Sequence, residues 1–145
     1  MSQMKKVELE VKQKDGFTIE ADAGKHKIII DQSPPSGAGS GASPLHHLFA
    51  ALGGCFVTLG VIISRQRGID LKHMSVKIEG EYDPAYLMGK TKEGRAGFRK
   101  IKLVADIDAD ISEEEKVALL QEIDERCPVS DNIMNQTPFE FELKK

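Results

Sequence analysis

Hydrophobic and polar residues alternate in short stretches along this chain of 145 residues, except in one long apolar run. Alternation with a period of two predicts β-strands. Three such stretches precede the apolar run, and turn sequences containing Gly16 and Gly24 separate them. They are residues 7–11, 17–19 and 27–31, which we expect to form an antiparallel meander.

The long apolar run, residues 43–67, predicts a helix. Pro44 in its first turn and Gly68 just beyond its end are typical of residues that begin and end helices. Its uncharged part, residues 48–63, is shorter than the roughly 20 residues that a membrane span needs. We therefore expect a helix that is buried on most sides inside a soluble protein.

Four small residues of this helix, Ala50, Gly53, Gly54 and Gly60, fall mostly on one side at helical spacing. Each glycine costs a helix about 1 kcal/mol relative to alanine, so three glycines need a structural reason. We expect the helix to cross a second helix closely along this side, with its own copy in a dimer as one candidate.

The C-terminal part contains three further strand patterns. Residues 74–82 and 98–107 alternate, and residues 83–97 between them carry the Gly, Pro and charged residues of a long exposed turn. A last short strand is predicted at residues 139–143, after Pro138.

One more helix is predicted before that last strand. Ser112 and Glu115 have the spacing of a capping box, which begins a helix. The helix ends at Cys127 because Pro128 cannot continue it. Strands are grouped rather than alternating one for one with helices, so the fold class is α+β, in a single domain over residues 1–145.

A glycine-rich stretch at residues 33–43 precedes the long helix. Gly37, Gly39 and Gly41 suggest a phosphate cradle, but a P-loop ends in Gly-Lys-Ser/Thr and this stretch does not. We interpret it as a flexible connector.

Composition narrows the function classes. The net charge is −3 and the Lys and Arg residues are scattered, so no basic surface argues for nucleic acid. The N-terminus is charged and lacks the apolar stretch of a signal peptide, which favours the cytoplasm. We expect neither a membrane partner nor a cofactor.

The two cysteines, Cys55 and Cys127, are the sharpest candidates for chemistry. A cysteine in an apolar helix is often only a small core residue. Two cysteines, each on a helix, can instead form a nucleophile and a resolving partner: a peroxide oxidises one to a sulfenic acid, and the other condenses with it.

A reactive thiolate needs a nearby positive charge, a histidine or a helix N-terminus. Cys55 lies beyond the first turn of its helix, whereas His46 and His47 are in that turn. The simpler interpretation of both histidines, as polar residues at a helix start, is the favoured one. A zinc site from His46, His47, Cys55 and Cys127 is a weaker hypothesis, because the spacing fits no standard pattern.

Two motifs resemble those of the OsmC/Ohr family, the osmotically inducible and organic hydroperoxide resistance proteins. One is Pro44 followed by the run from Leu48 to Cys55, and the other is Cys127-Pro128-Val129-Ser130. The resemblance implies an intertwined homodimer with a long buried central helix and antiparallel sheets. It also implies a peroxidase that reduces small organic hydroperoxides with a thiol reductant, with Cys55 peroxidatic and Cys127 resolving.

The chain departs from the family pattern beside Cys55. The family's hydroperoxidases hold an Arg in the N-terminal hairpin and a Glu after the helix-opening Pro, but the first Arg here is Arg65 and Leu45 follows Pro44. Three residues are candidates to replace that pair in tuning the thiolate: His46, Arg95 and Arg99. The alternative function is a non-enzymatic protein that binds a small apolar ligand at the dimer interface.

Overall fold

The computed structural model describes residues 3–145, and within them five strands and four helices. The strands are grouped and pair antiparallel, which confirms the α+β class. The elements are β1 (Glu10–Asp15), β2 (Thr18–Ala23), β3 (His26–Ile30), α1 (Pro44–Arg67), β4 (Leu71–Glu81), α2 (Pro84–Leu87), β5 (Lys100–Ala109), α3 (Glu113–Arg126) and α4 (Pro128–Met134).

The chain divides into two compact units, one ending at Ala50 and the other beginning at Ala51. The single-domain interpretation stays a prediction. In the first unit β1, β2 and β3 form the predicted meander in that order.

The first strand lies further along the chain than its alternation predicts. Pairing with β2 ends at Glu10 opposite Asp22, so residues 7–9 lie outside the strand. The turn falls at Gly16 and Phe17, where Gly16 has a positive φ of 57° that favours glycine. Phe17 therefore belongs to the turn and not to the second strand.

The glycine-rich stretch is an ordered loop that folds around the carboxylate of Asp31, which is 1% exposed. Its Oδ2 accepts from Thr18 Oγ1 at 3.0 Å, Ser40 Oγ at 2.6 Å and Ser40 N at 3.2 Å. Its Oδ1 accepts from Gln32 N at 2.7 Å. Hydrogen bonds thus join the connector to Asp31, and its flexibility stays a prediction.

Two glycines are required by close packing within this loop. A Cβ at Gly37 would lie 2.5 Å from Asp31 Oδ1, and one at Gly41 would overlap the carbonyl oxygen of Ile29. The donors that a phosphate would need already bind the protein's own carboxylate. The loop is therefore a structural element.

Helix α1 has the predicted bounds, and Gly68, with a φ of 68°, follows it. Its buried side chains Leu52, Phe56 and Ile63 join a core formed with residues of β4, β5 and α3. Only six of its 24 residues are buried in the single chain, so burial on most sides is wrong for one copy alone.

By length and composition α1 is also the one helix within residues 3–145 that could cross a membrane, and 33% of its apolar window is buried. A core helix of a soluble protein passes the same test.

The small residues of α1 do not share one environment, which corrects the prediction of a single close crossing. A Cβ at Gly53 would lie 3.0 Å from Val76 Cγ2, and one at Gly60 would lie 2.5 Å from Met74 Sδ. Both glycines therefore admit side chains of β4. A Cβ at Gly54 meets nothing within 4 Å.

Strands β4 and β5 form a two-stranded antiparallel sheet, paired from Leu71 opposite Ala109 to Glu81 opposite Lys100. Their inward side chains alternate with exposed ones, as the sequence predicts. The turn between them contains the short helix α2, whose N-cap Asp83 accepts from Ala85 N.

Helix α3 begins at the predicted capping box, where Ser112 Oγ accepts from Glu115 N at 3.1 Å. A second helix, α4, begins directly after it at Pro128 and was not predicted. The strand expected at residues 139–143 is wrong for the single chain. Its apolar side chains, Phe139, Phe141 and Leu143, are 82%, 88% and 90% exposed, and a strand needs a partner edge.

Candidate functional site

Helix α1 places Cys55 at the edge of its packed face. The thiol is half-buried against the core, while Ala51, Gly54 and Thr58 on the neighbouring side of the helix are exposed. Cys55 thus lies where a helix changes from packed to open, so its sulfur keeps access from outside the single chain.

Cys127 lies at the junction of α3 and α4, and the proline after it creates that junction. Pro128 cannot extend α3, but a proline fits the first turn of a new helix because its missing N–H is not needed there. Cys127 has an extended backbone, with φ −83° and ψ 113°, and is both the C-cap of α3 and the N-cap of α4. It is 1% exposed.

Two neighbouring residues hold the junction. Ser130 N donates to Cys127 Sγ at 3.3 Å, so the sulfur acts as the cap of α4. The hydroxyl of Ser130, which is itself buried, donates to the carboxylate of Asp124 on the last turn of α3. Ser130 thus holds the sulfur of Cys127 through its N–H and joins α4 to α3 through its hydroxyl.

The two thiols meet. Cys127 Sγ and Cys55 Sγ are 2.9 Å apart, and both cysteines are free. A disulfide bond is about 2.05 Å long. The sulfurs are therefore within reach of a bond after a shift of less than about 1 Å, although 72 residues separate them in the chain.

The surroundings of Cys55 favour its neutral form. Burial raises the pKa of the Cys55 thiol, the hydrogen bond shared with Cys127 raises it further, and the backbone N–H of Val129 lowers it. The net direction is upward, because desolvation outweighs one neutral donor. Within the described residues, 3–145, no positive charge contributes to this pKa.

The candidate tuning residues lie elsewhere. Arg95 and Arg99 are exposed in the segment between α2 and β5, where their guanidinium groups fold over Gly97 and Gly94. Neither contributes to the pKa of Cys55. His46 lies in the first turn of α1, and its Nδ1 is 2.7 Å from Ser43 Oγ.

The described residues contain no arrangement of side chains that supports metal binding. Across the part of the chain that the structure describes, no group of three or more His, Cys, Asp or Glu side chains is placed to hold an ion. The zinc hypothesis from His46, His47, Cys55 and Cys127 is left to a metal assay.

Sequence reasoning missed Asp124, and it named Val129 and Ser130 only as part of the motif that begins at Cys127, without a role in the site. The signal that could have revealed them is Cys127-Pro128 itself. Proline is common at the first position of a helix, which places the preceding residue at the N-cap and the N–H groups of the following residues near it.

Comparison with known proteins gives one family and many similar folds. The model of the family described as OsmC-like protein matches residues 37–142. No curated protein gives a significant match.

Among solved structures, an OsmC-like protein from Mycoplasma pneumoniae superposes with a TM-score of 0.79 at 20% identity, covering 91% of this chain and 89% of that one. An OsmC-like protein of unknown function from Vibrio cholerae gives 0.73 at 14% identity, covering 89% and 94%. An organic hydroperoxide resistance protein OsmC from Legionella pneumophila gives 0.65 at 22% identity, covering 91% of each chain. Identities at this level support the fold alone.

Proposed function

The chain belongs to the OsmC-like family, and we propose that it is a thiol-dependent peroxidase. Its substrate is a small organic hydroperoxide, and Cys55 and Cys127 form its redox pair. Three of the solved structures with a similar fold are named organic hydroperoxide resistance proteins, which supports the proposal. The observation that carries the proposal is the 2.9 Å separation of two free sulfurs, one half-buried and one buried.

The reaction proceeds in three balanced steps. The Cys55 thiolate attacks the outer oxygen of ROOH, which breaks the O–O bond, gives a sulfenic acid on Cys55 and releases ROH after protonation. The thiol of Cys127 then displaces hydroxide from that sulfenic acid, which forms the disulfide and water. Two equivalents of a thiol reductant finally return both cysteines to thiols and leave as a disulfide.

The assignment of roles rests on access. Cys55 is partly exposed and can meet a peroxide, whereas Cys127 is 1% exposed and is fixed by Ser130 and the end of α3. A buried, positioned thiol suits the second step, because it only has to meet a sulfur that is already beside it. The reaction needs reduced thiols, which the cytosol maintains, so we place the protein there.

The test is one equivalent of organic hydroperoxide added to the reduced protein. We expect both thiols to be consumed and mass spectrometry to show the peptides of Cys55 and Cys127 joined within one chain. Cys127→Ser should stop at a sulfenic acid on Cys55 or over-oxidise, whereas Cys55→Ser should consume no peroxide.

Two results contradict the proposal. Unconsumed peroxide with both thiols intact would favour the non-enzymatic alternative, a protein that binds a small apolar ligand at a dimer interface. Peptides joined between two chains, or a free Cys127 after turnover, would refute the resolving role of Cys127.

The proposal includes a homodimer, supported by apolar surface that one copy leaves open. On α1, Ala51, Gly54, Thr58 and Ile62 form an exposed stripe with Cys55 at its edge. The C-terminal segment 139–143 exposes three large apolar side chains on alternate positions. Surfaces of this kind are typical of protein interfaces.

Light scattering should therefore give twice the 16.0 kDa mass of the chain. Gly54→Leu should weaken association by on the order of 1–3 kcal/mol, because a side chain is added where a second helix packs. In a monomer the same position is open, and Gly54→Ala should stabilise the helix by about 1 kcal/mol. A monomer at micromolar concentration would refute the dimer.

A further inference from the structure

We propose that the turn between β4 and β5 is a docking surface for an anionic lipid membrane. The surface is the segment 87–99, called here the basic tip. It combines two exposed apolar side chains with four cations, and it is separate from the thiol chemistry.

The apolar part of the basic tip is held outward by ordered backbone. Leu87 and Met88 are 67% and 68% exposed at the end of α2. The helix is closed by Met88 N donating to Pro84 O at 3.0 Å. Two adjacent large apolar side chains, fixed in solvent at a turn, have the form of a shallow membrane anchor.

Two contacts close the base of the basic tip. Arg99 N donates to Glu81 O at 3.0 Å, which closes the sheet below the turn. The rings of Tyr82 and Phe98 then pack edge to face, with centroids 5.9 Å apart. Leu87 thus lies exposed on a turn whose two ends are held together.

The charge of the basic tip is opposite to that of the remaining chain. It holds Lys90, Lys92, Arg95 and Arg99 against the single acid Glu93, a net charge of +3. The remaining residues contain 16 Lys and Arg against 22 Asp and Glu, a net charge of −6. A positively charged segment in an otherwise negative chain attracts a negative surface more strongly than the net charge of the chain indicates.

The four cations are not engaged in ion pairs. Of the salt bridges formed within residues 3–145, none includes a cation of the basic tip. Each cation is exposed, so each can meet a headgroup phosphate without losing an existing partner. Basic residues near an anionic leaflet contribute about fivefold each to binding.

A lipid surface fits these features better than a protein does. A stable protein interface buries about 800 Å² on each side and needs a complementary shape. A membrane needs only apolar side chains to insert and diffuse positive charge around them. The negative net charge of the whole chain hides this local distribution.

The experiment is co-sedimentation of the full-length protein with phosphatidylcholine vesicles, with and without phosphatidylglycerol. Binding should require phosphatidylglycerol and fall at high salt. Lys90→Gln/Lys92→Gln should weaken the partition by about tenfold or more. The matched control is Lys144→Gln/Lys145→Gln, which makes the same charge change on exposed residues elsewhere and should leave binding within about twofold.

The apolar part is tested by Leu87→Ser/Met88→Ser, with Val117→Ser on α3, at an exposed valine, as its control. Loss of binding only in the tip variant supports insertion. The proposal is overturned if the wild type does not bind vesicles or if the control variants lose binding as much as the tip variants do. It is also overturned if the tip variant changes the mass of the protein in solution, because the tip would then contact a second copy of the chain. Binding to polyglutamate without binding to vesicles would assign it to a protein partner. None of these readouts uses peroxide, so failure leaves the peroxidase proposal unaffected.

Discussion

Two acidic groups in different parts of the molecule have opposite surroundings. The carboxylate of Asp31, in the loop before α1, accepts four hydrogen bonds from neutral donors. These bonds, with the Ser40 hydroxyl as the largest cause, lower its pKa to about 2. The Cys55 thiol accepts one backbone N–H, from Val129, and burial raises its pKa.

The comparison shows that the number of donors decides which form of an acid a protein holds. Both groups lose solvent, but Asp31 regains more than it loses, whereas Cys55 does not. The loop that suggested a phosphate site thus binds the protein's own anion. The proposed redox site, in contrast, holds its attacking sulfur as a neutral thiol.

The largest expected effect is on the reactivity of Cys55. Because its pKa is raised, we expect alkylation to speed up about tenfold per pH unit through the neutral range, or roughly 100-fold between pH 7 and pH 9. The measurement is the rate of alkylation of Cys55 against pH in Cys127→Ser. That background also removes the second cause of the raised pKa, so the curve should lie at slightly lower pH than for Cys55 in the wild type.

Three further variants ask whether a cation tunes the thiol: His46→Ala, Arg95→Ala and Arg99→Ala. Because no positive charge within residues 3–145 contributes to the pKa of Cys55, we expect the midpoint to stay the same in all three variants. A midpoint that rises in one of them would identify a cation that takes the place of the missing Arg. If Cys55 titrates below about pH 6 and none of the three moves it, our account of its charge is wrong.

The second effect is on stability, through Asp31→Asn. The amide of asparagine has one oxygen, so it cannot accept all the hydrogen bonds that the carboxylate accepts. Its NH₂ group would face Gln32 N or the Ser40 donors, and two donors cannot form a hydrogen bond with each other. We expect the Tm to fall by about 5–10 °C in thermal unfolding. Asp15→Asn, at an exposed site on β1, should change it by less than about 2 °C.

The pH dependence of stability gives an independent measure of the same group. The folded pKa of about 2 lies below the ordinary 3.8, so the folded form binds fewer protons than the unfolded form between these values. This stabilisation is complete above pH 3.8 and is lost as the pH falls through about 2. Asp31→Asn should lack that part of the acid transition, and an unchanged transition would contradict the assignment.

Much of the fold could be predicted because its information is local. Gly16, Gly24 and Gly68 punctuate the chain at the turns and the helix end where the structure has them. The pairing of Cys55 with Cys127 was a hypothesis from two cysteines that each lie on a helix, and the family resemblance gave each its role, since no local pattern relates positions 72 residues apart.

The predictions that failed concern elements whose structure depends on residues or strands far away in the chain, which a local sequence pattern does not show. Alternation at residues 139–143 shows which side chains share a face, but the strand also needs an edge to pair with. Pro128 was interpreted only as the end of α3, although the same residue begins α4. Asp31 draws on Thr18 and Ser40, which lie 13 and nine positions away.

The smallest expected effects come from removing the donors of Asp31 one at a time. Ser40→Ala removes the hydroxyl that lowers the pKa of Asp31 most, and Thr18→Val removes the hydroxyl that lowers it least. Thr18→Val conserves shape and should lower the Tm by about 2 °C, whereas Ser40→Ala should lower it by about 4 °C and raise the pKa of Asp31 further. The measurement is the acid transition and the Tm of each variant. The reverse order would contradict the ranking of the two hydroxyls. No change in either variant would show that the backbone donors Gln32 N and Ser40 N hold the carboxylate by themselves, and that the count of donors is not what separates Asp31 from Cys55.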